Sequence, residues 1–255
     1  MFELEKISLK GNVSEEEWQL RVDLAACYRL AQYFGWDDTI YTHISARLPN
    51  RDEYLVNAYG LAFDEITASN LVRVNLKGEI LDDTPFKINP AGFTIHSAIH
   101  EVRHDAQCVI HLHTNETIVI ATIEDGLLPI SQHSMFSINQ MAYHGYEGLA
   151  VNHDEKQRLQ EDLGKANILM LPNHGALALG RSVGEAFMRW ADLQKACEIQ
   201  VMALSTEQPL IPIKQHVLDT VKEQQQKVHM GGTGGQMVWP AMLRKAYRLD
   251  PTFAE

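Results

Sequence analysis

Residues 107–113 read Gln-Cys-Val-Ile-His-Leu-His, and this short run constrains the fold more than any other. In an extended strand successive side chains leave on opposite faces. Cys108, Ile110 and Leu112 therefore share one wholly apolar face, while Val109, His111 and His113 share the other. The first face calls for a hydrophobic layer, and the second sets two imidazoles side by side. Their ring nitrogens can share one cation at the usual zinc–nitrogen distance of about 2.0–2.1 Å. The pair alone is not a site, because a half-exposed strand with two solvated histidines has the same pattern. A third ligand is offered by LMLPNHGALALG, where His174 stands at the point at which an apolar strand gives way to Asn173 and Gly175, a place where side chains project into a cleft. Three histidines with an open fourth position describe a catalytic metal centre better than a closed structural one. Zinc suits such ligands, as do manganese, iron and cobalt.

The neighbouring sequence supplies the layers such a strand needs. Ser14 before Glu15, Glu16 and Glu17 is a capping-box start, and Trp18, Val22, Ala25, Ala26 and Leu30 recur at helical spacing until Gly35. From Tyr41 to Asp82 the runs HISARL, EYLVNA and LVRVNL are strand-like and divided by turn residues, which predicts three strands of an antiparallel meander. AGFTIHSAIHEVR and TNETIVIATIE carry helical spacing on either side of QCVIHLH, NILMLPNHGALALG predicts strand, bend and strand, and SVGEAFMRWADLQKACEIQVMAL predicts a long helix. Beyond Pro209 come a polar helix, VLDTVKEQQQKV, a glycine-rich break, GGTGG at 231–235, and the amphipathic stretch MVWPAMLRKAYRL, with Trp239, Met242, Leu243 and Tyr247 as an apolar stripe. We expect one domain over residues 1–210 and a helical tail over 211–255 that packs on the same or a neighbouring subunit.

Composition narrows the partners. Lys and Arg total 22 against 33 Asp and Glu, a formal charge of -11, and no block of five basic residues occurs, so nucleic acid and anionic membrane are poor partners. No stretch reaches the roughly 18 apolar residues of a membrane span, and MFELEKISLK lacks a signal-peptide core. Cys27, Cys108 and Cys197 are odd in number and far apart, which fits a reducing cytoplasm rather than a disulfide framework. Histidines are unevenly placed, with His96, His100 and His104 just ahead of the HLH pair. His96 and His100 are four apart and share a helical face. A polar stripe with Arg103 and His104 accounts for them without a ligand, although His96 is also a candidate for substrate contact. His133 in ISQHSMF either lines the same cleft or starts a helix.

In order along the chain, YTHISARLP, YLVNAYGLAFDEITASNLVRVNLKGEILD, INPAGFTIHSAIH, CVIHLHT and LPNHGAL resemble the motifs of the class II aldolase/adducin family over about residues 15 to 205. The resemblance implies an α/β fold, a three-layer α/β/α sandwich with a largely antiparallel central sheet, and assembly into homotetramers with the metal site near a subunit boundary. It also implies that His111, His113 and His174 bind the metal. The sugar-phosphate aldolases of the family place an acid/base glutamate just before the helix that bears the counterpart of His96, whereas this chain has Pro90, Ala91 and Gly92 there. Their phosphate-binding pairs are matched here by Thr42-His43, Tyr59-Gly60 and Pro90-Ala91. Both departures point away from a phosphorylated sugar. INPAGFTIHSAIH is nearer to the head domain of adducin, a cytoskeletal protein, and to its bacterial relatives, yet adducin's lysine-rich tail has no counterpart here.

The resulting expectation is a metal-dependent lyase, performing aldol cleavage or decarboxylation on a small non-phosphorylated hydroxy- or keto-compound. Asn57, Tyr59, Gly60 and His96 are the candidates for substrate contact, and Glu116, one helical turn beyond His113, is a possible substitute carboxylate. An exposed first-turn residue favoured by the helix dipole is the plainer reading of Glu116. The alternative is a non-catalytic oligomeric scaffold in which the metal is structural. An isomerase or epimerase would need a further base that the sequence does not reveal.

Overall fold

The computed structural model describes residues 8–150, 152, 154–228 and 234–255; positions 231–233 of the glycine-rich break lie outside the described residues. Helix α1 runs Glu15–Tyr33, and the Ser14 side chain accepts from the backbone N–H of Glu17 at 3.2 Å, the capping geometry its sequence predicts. Strands β1 (His43–Arg47), β2 (Glu53–Val56) and β3 (Val72–Asn75) follow as the expected meander. Helix α2 (Pro90–Val102) starts with proline at its first position, where no N–H is needed, and Asn89 caps it. It leads into β4 (Cys108–Leu112) and α3 (Asn115–Thr122). Helix α4 (Gln132–Ile138), strand β5 (Met141–Tyr143) and helix α5 (Glu155–Leu163) come next. Strands β6 (Ile168–Leu171) and β7 (Gly175–Gly180) then precede α6 (Val183–Ser205), α7 (Gln215–Val228) and α8 (Gly235–Leu249).

The seven strands form one sheet in the order β3-β2-β1-β4-β7-β6-β5, antiparallel at every pairing except β5 with β6. The alternation read from β4 holds. Cys108, Ile110 and Leu112 join Ile44, Ala46, Ala176 and Ala178 in the larger core, under α1 and α6. Val109, Leu177 and Leu179 join a second core with Ile95, Ala98 and Ile99 of α2 and Leu159 and Leu163 of α5. Helices thus cover both faces of a mostly antiparallel sheet, the three-layer α/β/α arrangement that the family resemblance implies.

Two features bear on the site. Tyr28, fully buried on α1, has a hydroxyl that accepts from the N–H of Ile44 at 2.6 Å and of Asn57 at 3.2 Å, fixing β1 against the end of β2. The β6–β7 hairpin turns through Pro172, Asn173 and His174, with Asn173 in the left-handed region at φ 63° and the His174 N–H bonded to the Leu171 carbonyl at 3.0 Å.

The segment between α3 and β6 is where structure exceeds what periodicity signals. Helix α5 reads EKQRLQEDL and buries Leu159 and Leu163 as its only large apolar side chains, so its apolar stripe is two residues wide. At the C-terminal end, Trp239, Met242 and Leu243 of α8 pack against the main core, and the Trp239 indole donates to Asp23 at 3.1 Å. No described helix is long and apolar enough to cross a membrane.

Candidate metal centre

His111 leaves the end of β4 on the α2 face, His113 follows one residue past the strand, and His174 stands at the tip of the β6–β7 hairpin. One ring nitrogen from each lies within 4.8 Å of the others, and this is the one group of three or more potential ligands found among the described residues. Ring centroids are 4.7 Å apart for His111 and His113, 4.9 Å for His111 and His174, and 4.7 Å for His113 and His174. Gly175 makes the approach possible: a Cβ there would stand 2.6 Å from the Leu112 carbonyl oxygen and 3.0 Å from Cδ2 of His113. The adjacent hairpin can therefore lie against the end of β4 only with glycine at that position.

The tautomers follow from the partners. Nδ1 of His111 is 3.1 Å from the Ala176 carbonyl, which can only accept, so Nδ1 carries the hydrogen. Nδ1 of His113 is 3.1 Å from Oδ2 of Asp38, with the same consequence. Burial holds His111 well below its usual titration range and lowers His113, while for His174 burial and the neighbouring His113 push it down to about 4. All three imidazoles are neutral at pH 7. Nε2 of His111 and Nε2 of His113 then face each other at 3.0 Å, each presenting a bare lone pair. Two acceptors at that separation repel unless a cation joins them, and a tetrahedral zinc site would set its nitrogens about 3.3 Å apart. The residues present therefore fit a divalent ion, and Asp38 behind His113 supplies the carboxylate–histidine pairing that orients metal ligands.

Next to this group runs a chain of buried polar side chains. His43 is paired across the sheet with His111, and their ring centroids are 5.0 Å apart. Nδ1 of His43 lies 2.8 Å from Nε2 of His96, Nδ1 of His96 lies 2.5 Å from Oγ of Ser45, and that Oγ lies 2.8 Å from Nε2 of His100. Burial keeps His43 and His96 well below their usual range and pushes His100 down to about 3, so the chain is neutral. The polar stripe expected on α2 is turned inward: His96 and His100 are buried against β1, and only its far end, at His104, is exposed. The signal for this was present in β1, where His43, Ser45 and Arg47 alternate with Ile44, Ala46 and Leu48.

The other singled-out residues are spread around this core. Asn57 is buried and its Oδ1 lies 2.9 Å from the Tyr28 hydroxyl. Tyr59 is exposed, and Gly60 follows it with φ 101° and open space around its Cα. Glu116 lies in the first turn of α3 and accepts from Gln194 of α6 at 2.9 Å, outside the group that converges. His133 is the second residue of α4, a helix-start position, with no described tie to the imidazoles. Gly92 has a specific role: a Cβ there would lie 2.6 Å from Cδ2 and 2.7 Å from Nε2 of His43. The His43 ring fills the room that any side chain at position 92 would need. Two residues the sequence did not single out also border the site. Asp38 is one, and His144, bonded to Asp162 at 2.7 Å, lines a small cleft beside His174 together with Tyr146 and Glu155.

Residues 22–201 match the profile of the class II aldolase and adducin N-terminal domain. A Pseudomonas aeruginosa protein described as a "putative aldolase class 2 protein" is 51% identical over 249 residues, covering 97% of this chain and 96% of its own. The crystal structure of an aldolase II superfamily protein from Pseudomonas syringae superposes with a TM-score of 0.90 at 46% identity, covering 98% of this chain and 100% of that one. Rat alpha-adducin is 46% identical over 191 residues, which is 73% of this chain but 26% of the adducin.

Proposed function

The chain belongs to the class II aldolase and adducin family, and on that premise we propose that it is a metal-dependent lyase. In this reading it breaks a carbon–carbon bond, by aldol cleavage or decarboxylation, in a small hydroxy- or keto-compound that carries no phosphate. The divalent ion is zinc, with manganese, iron and cobalt as alternatives, and His111, His113 and His174 hold it. One observation carries the proposal: two neutral imidazoles whose bare Nε2 atoms face each other at 3.0 Å, with a third beside them.

When bound, the ion would act as a Lewis acid, drawing off the negative charge left on carbon when the bond breaks. The chain's own groups prepare that chemistry. Ala176 and Asp38 keep the Nδ1 atoms of His111 and His113 protonated, so both Nε2 atoms stay available. His43 and His96 hold a neutral, hydrogen-bonded wall next to the group, which limits water and suits an uncharged part of the substrate. Tyr59 and Gly60 supply an exposed turn for substrate contact, with buried Asn57 just behind it. Loss of carbon dioxide needs an electron sink more than a base, which agrees with a chain that has Gly92 packed against His43 instead of a carboxylate.

The test is direct. Metal content is measured on protein freed of metal and reloaded, and the loaded protein is screened against small keto- and hydroxy-acids for release of carbon dioxide or an aldehyde. Turnover that disappears in His113→Ala together with the bound ion supports the reading; turnover that survives the loss of the ion sinks it. The same Gly92–His43 contact, with the adducin similarity, favours a second reading, an oligomeric scaffold with a structural ion. That version expects an inert protein that keeps its assembly and loses only thermal stability on chelation.

A further inference from the structure

At the opposite end of the sheet, where β4 begins and β7 ends, a cleft of about 180 Å³ is lined by Arg103, Asp105, Asn167, Arg181, Glu185 and Arg189. From the start of β4 to His113 is five residues of extended chain, about 17 Å, so this cleft is separate from the imidazole group. Three guanidiniums face two carboxylates here, a local excess of positive charge in a chain whose net charge is -11.

The three arginines differ in how many of their donors the protein satisfies. Arg103 is satisfied: it clamps Asp105 at 2.8 and 2.9 Å, donates to the Ala166 carbonyl and reaches Oδ1 of Asn167 at 2.7 Å. Arg189 uses Nε on Gln140 at 3.0 Å and Nη2 on Glu185 at 3.0 Å, which leaves Nη1 without a partner among the described residues. Arg181 uses Nε on Glu185 at 2.8 Å and leaves both Nη atoms without one. Arg189 is 3% exposed, and burial, with repulsion from Arg181 and Arg103, lowers its hold on its proton. A purely structural ion-pair cluster would spend these donors on protein acceptors; here terminal nitrogens of two guanidiniums remain on a polar cleft with room for a small ion.

The geometry points to a binding site for a small, multiply charged oxyanion of the phosphate type, held between Arg181 and Arg189. The planar guanidinium fork suits such an ion, and the carboxylate of Glu185 keeps both side chains in place.

Titration calorimetry of the metal-free, full-length protein with inorganic phosphate, at an ionic strength matched with chloride, tests this. We expect saturable binding of one phosphate per chain, weakened tenfold or more in Arg181→Gln and partly retained in Arg181→Lys, with His113→Ala binding as the unaltered chain does. Arg181 is more than half exposed, so its replacement leaves the fold intact even if Arg189→Gln does not fold. Heat no greater than with chloride, unchanged affinity in Arg181→Gln, or loss of binding in His113→Ala would each overturn the proposal, the last by moving the anion to the imidazole group.

Discussion

The two faces of the central sheet are made by the same strands and obey opposite rules. Toward α1 and α6, Ile44, Ala46, Cys108, Ile110 and Leu112 bury apolar surface alone. Toward α2, His43 and Ser45 of β1 and His111 of β4 are also buried beside the apolar Val109, yet each of the three is polar and hydrogen-bonded or paired with another ring. The first face stabilises by removing carbon from water. The second spends burial on keeping imidazoles neutral and fixed, which is what ligands require. Adjacent residues on one strand therefore have different tasks, and substitutions one position apart should separate them.

The largest separation is expected at positions 110 and 111. Ile110→Asp puts an unpaired carboxylate into the larger core and should cost more than about 4 kcal/mol, leaving little folded protein in a circular dichroism melt. His111→Ala, the next residue, should keep the fold and lose the ion. At metal concentrations 100 to 1,000 times the dissociation constant a bound ion would stabilise the unaltered chain by about 3–4 kcal/mol, and His111→Ala should lose that increment on urea titration with and without chelator. If both variants unfold alike, the two faces do not divide the labour as argued.

Acid sharpens the contrast. His100 titrates near 6.5 when unfolded and at about 3 when folded, so between these values the unfolded chain binds more protons. Stability should fall as pH drops from about 6.5, by up to about 1.4 kcal/mol per pH unit for each such histidine. Urea titrations at pH 7.5, 6 and 5 should show a shallower slope for His100→Gln; equal slopes would mean the buried chain takes up protons without strain. The smallest effect is expected from Glu116→Gln, within about 0.5 kcal/mol in stability and twofold in any turnover, because its carboxylate is tied to Gln194. A tenfold loss of activity there would return Glu116 to the reacting groups.

How far the sequence can be read follows the same division. The β4 alternation and the NHG turn disclose the fold's centre and the three convergent histidines, because period two and a positive-φ asparagine are local properties. β1 carries the same alternation, with His43 and Ser45 on the polar side, but its meaning depends on the pairing of His43 with His111, which is a tertiary fact. The stripe on α2 is legible as a stripe and not in its direction, since four-residue spacing defines a face and not what covers it. Asp38 and His144 carry no local mark at all; the first acquires a role because the connection from α1 to β1 brings it to His113, the second because Asp162 on α5 lies across from it. Helix α5 itself is hidden by its polar composition.

The contact between His43 and Gly92 also dictates the order in which sequence change can proceed. A glutamate introduced at 92 on its own would collide with an imidazole that is anchored to His96. Shrinking residue 43 first opens the space at the expense of one hydrogen bond, after which position 92 is free to vary. An evolutionary path, or a designer's, from this chain to one with a carboxylate at that corner must therefore pass through position 43 before it reaches 92.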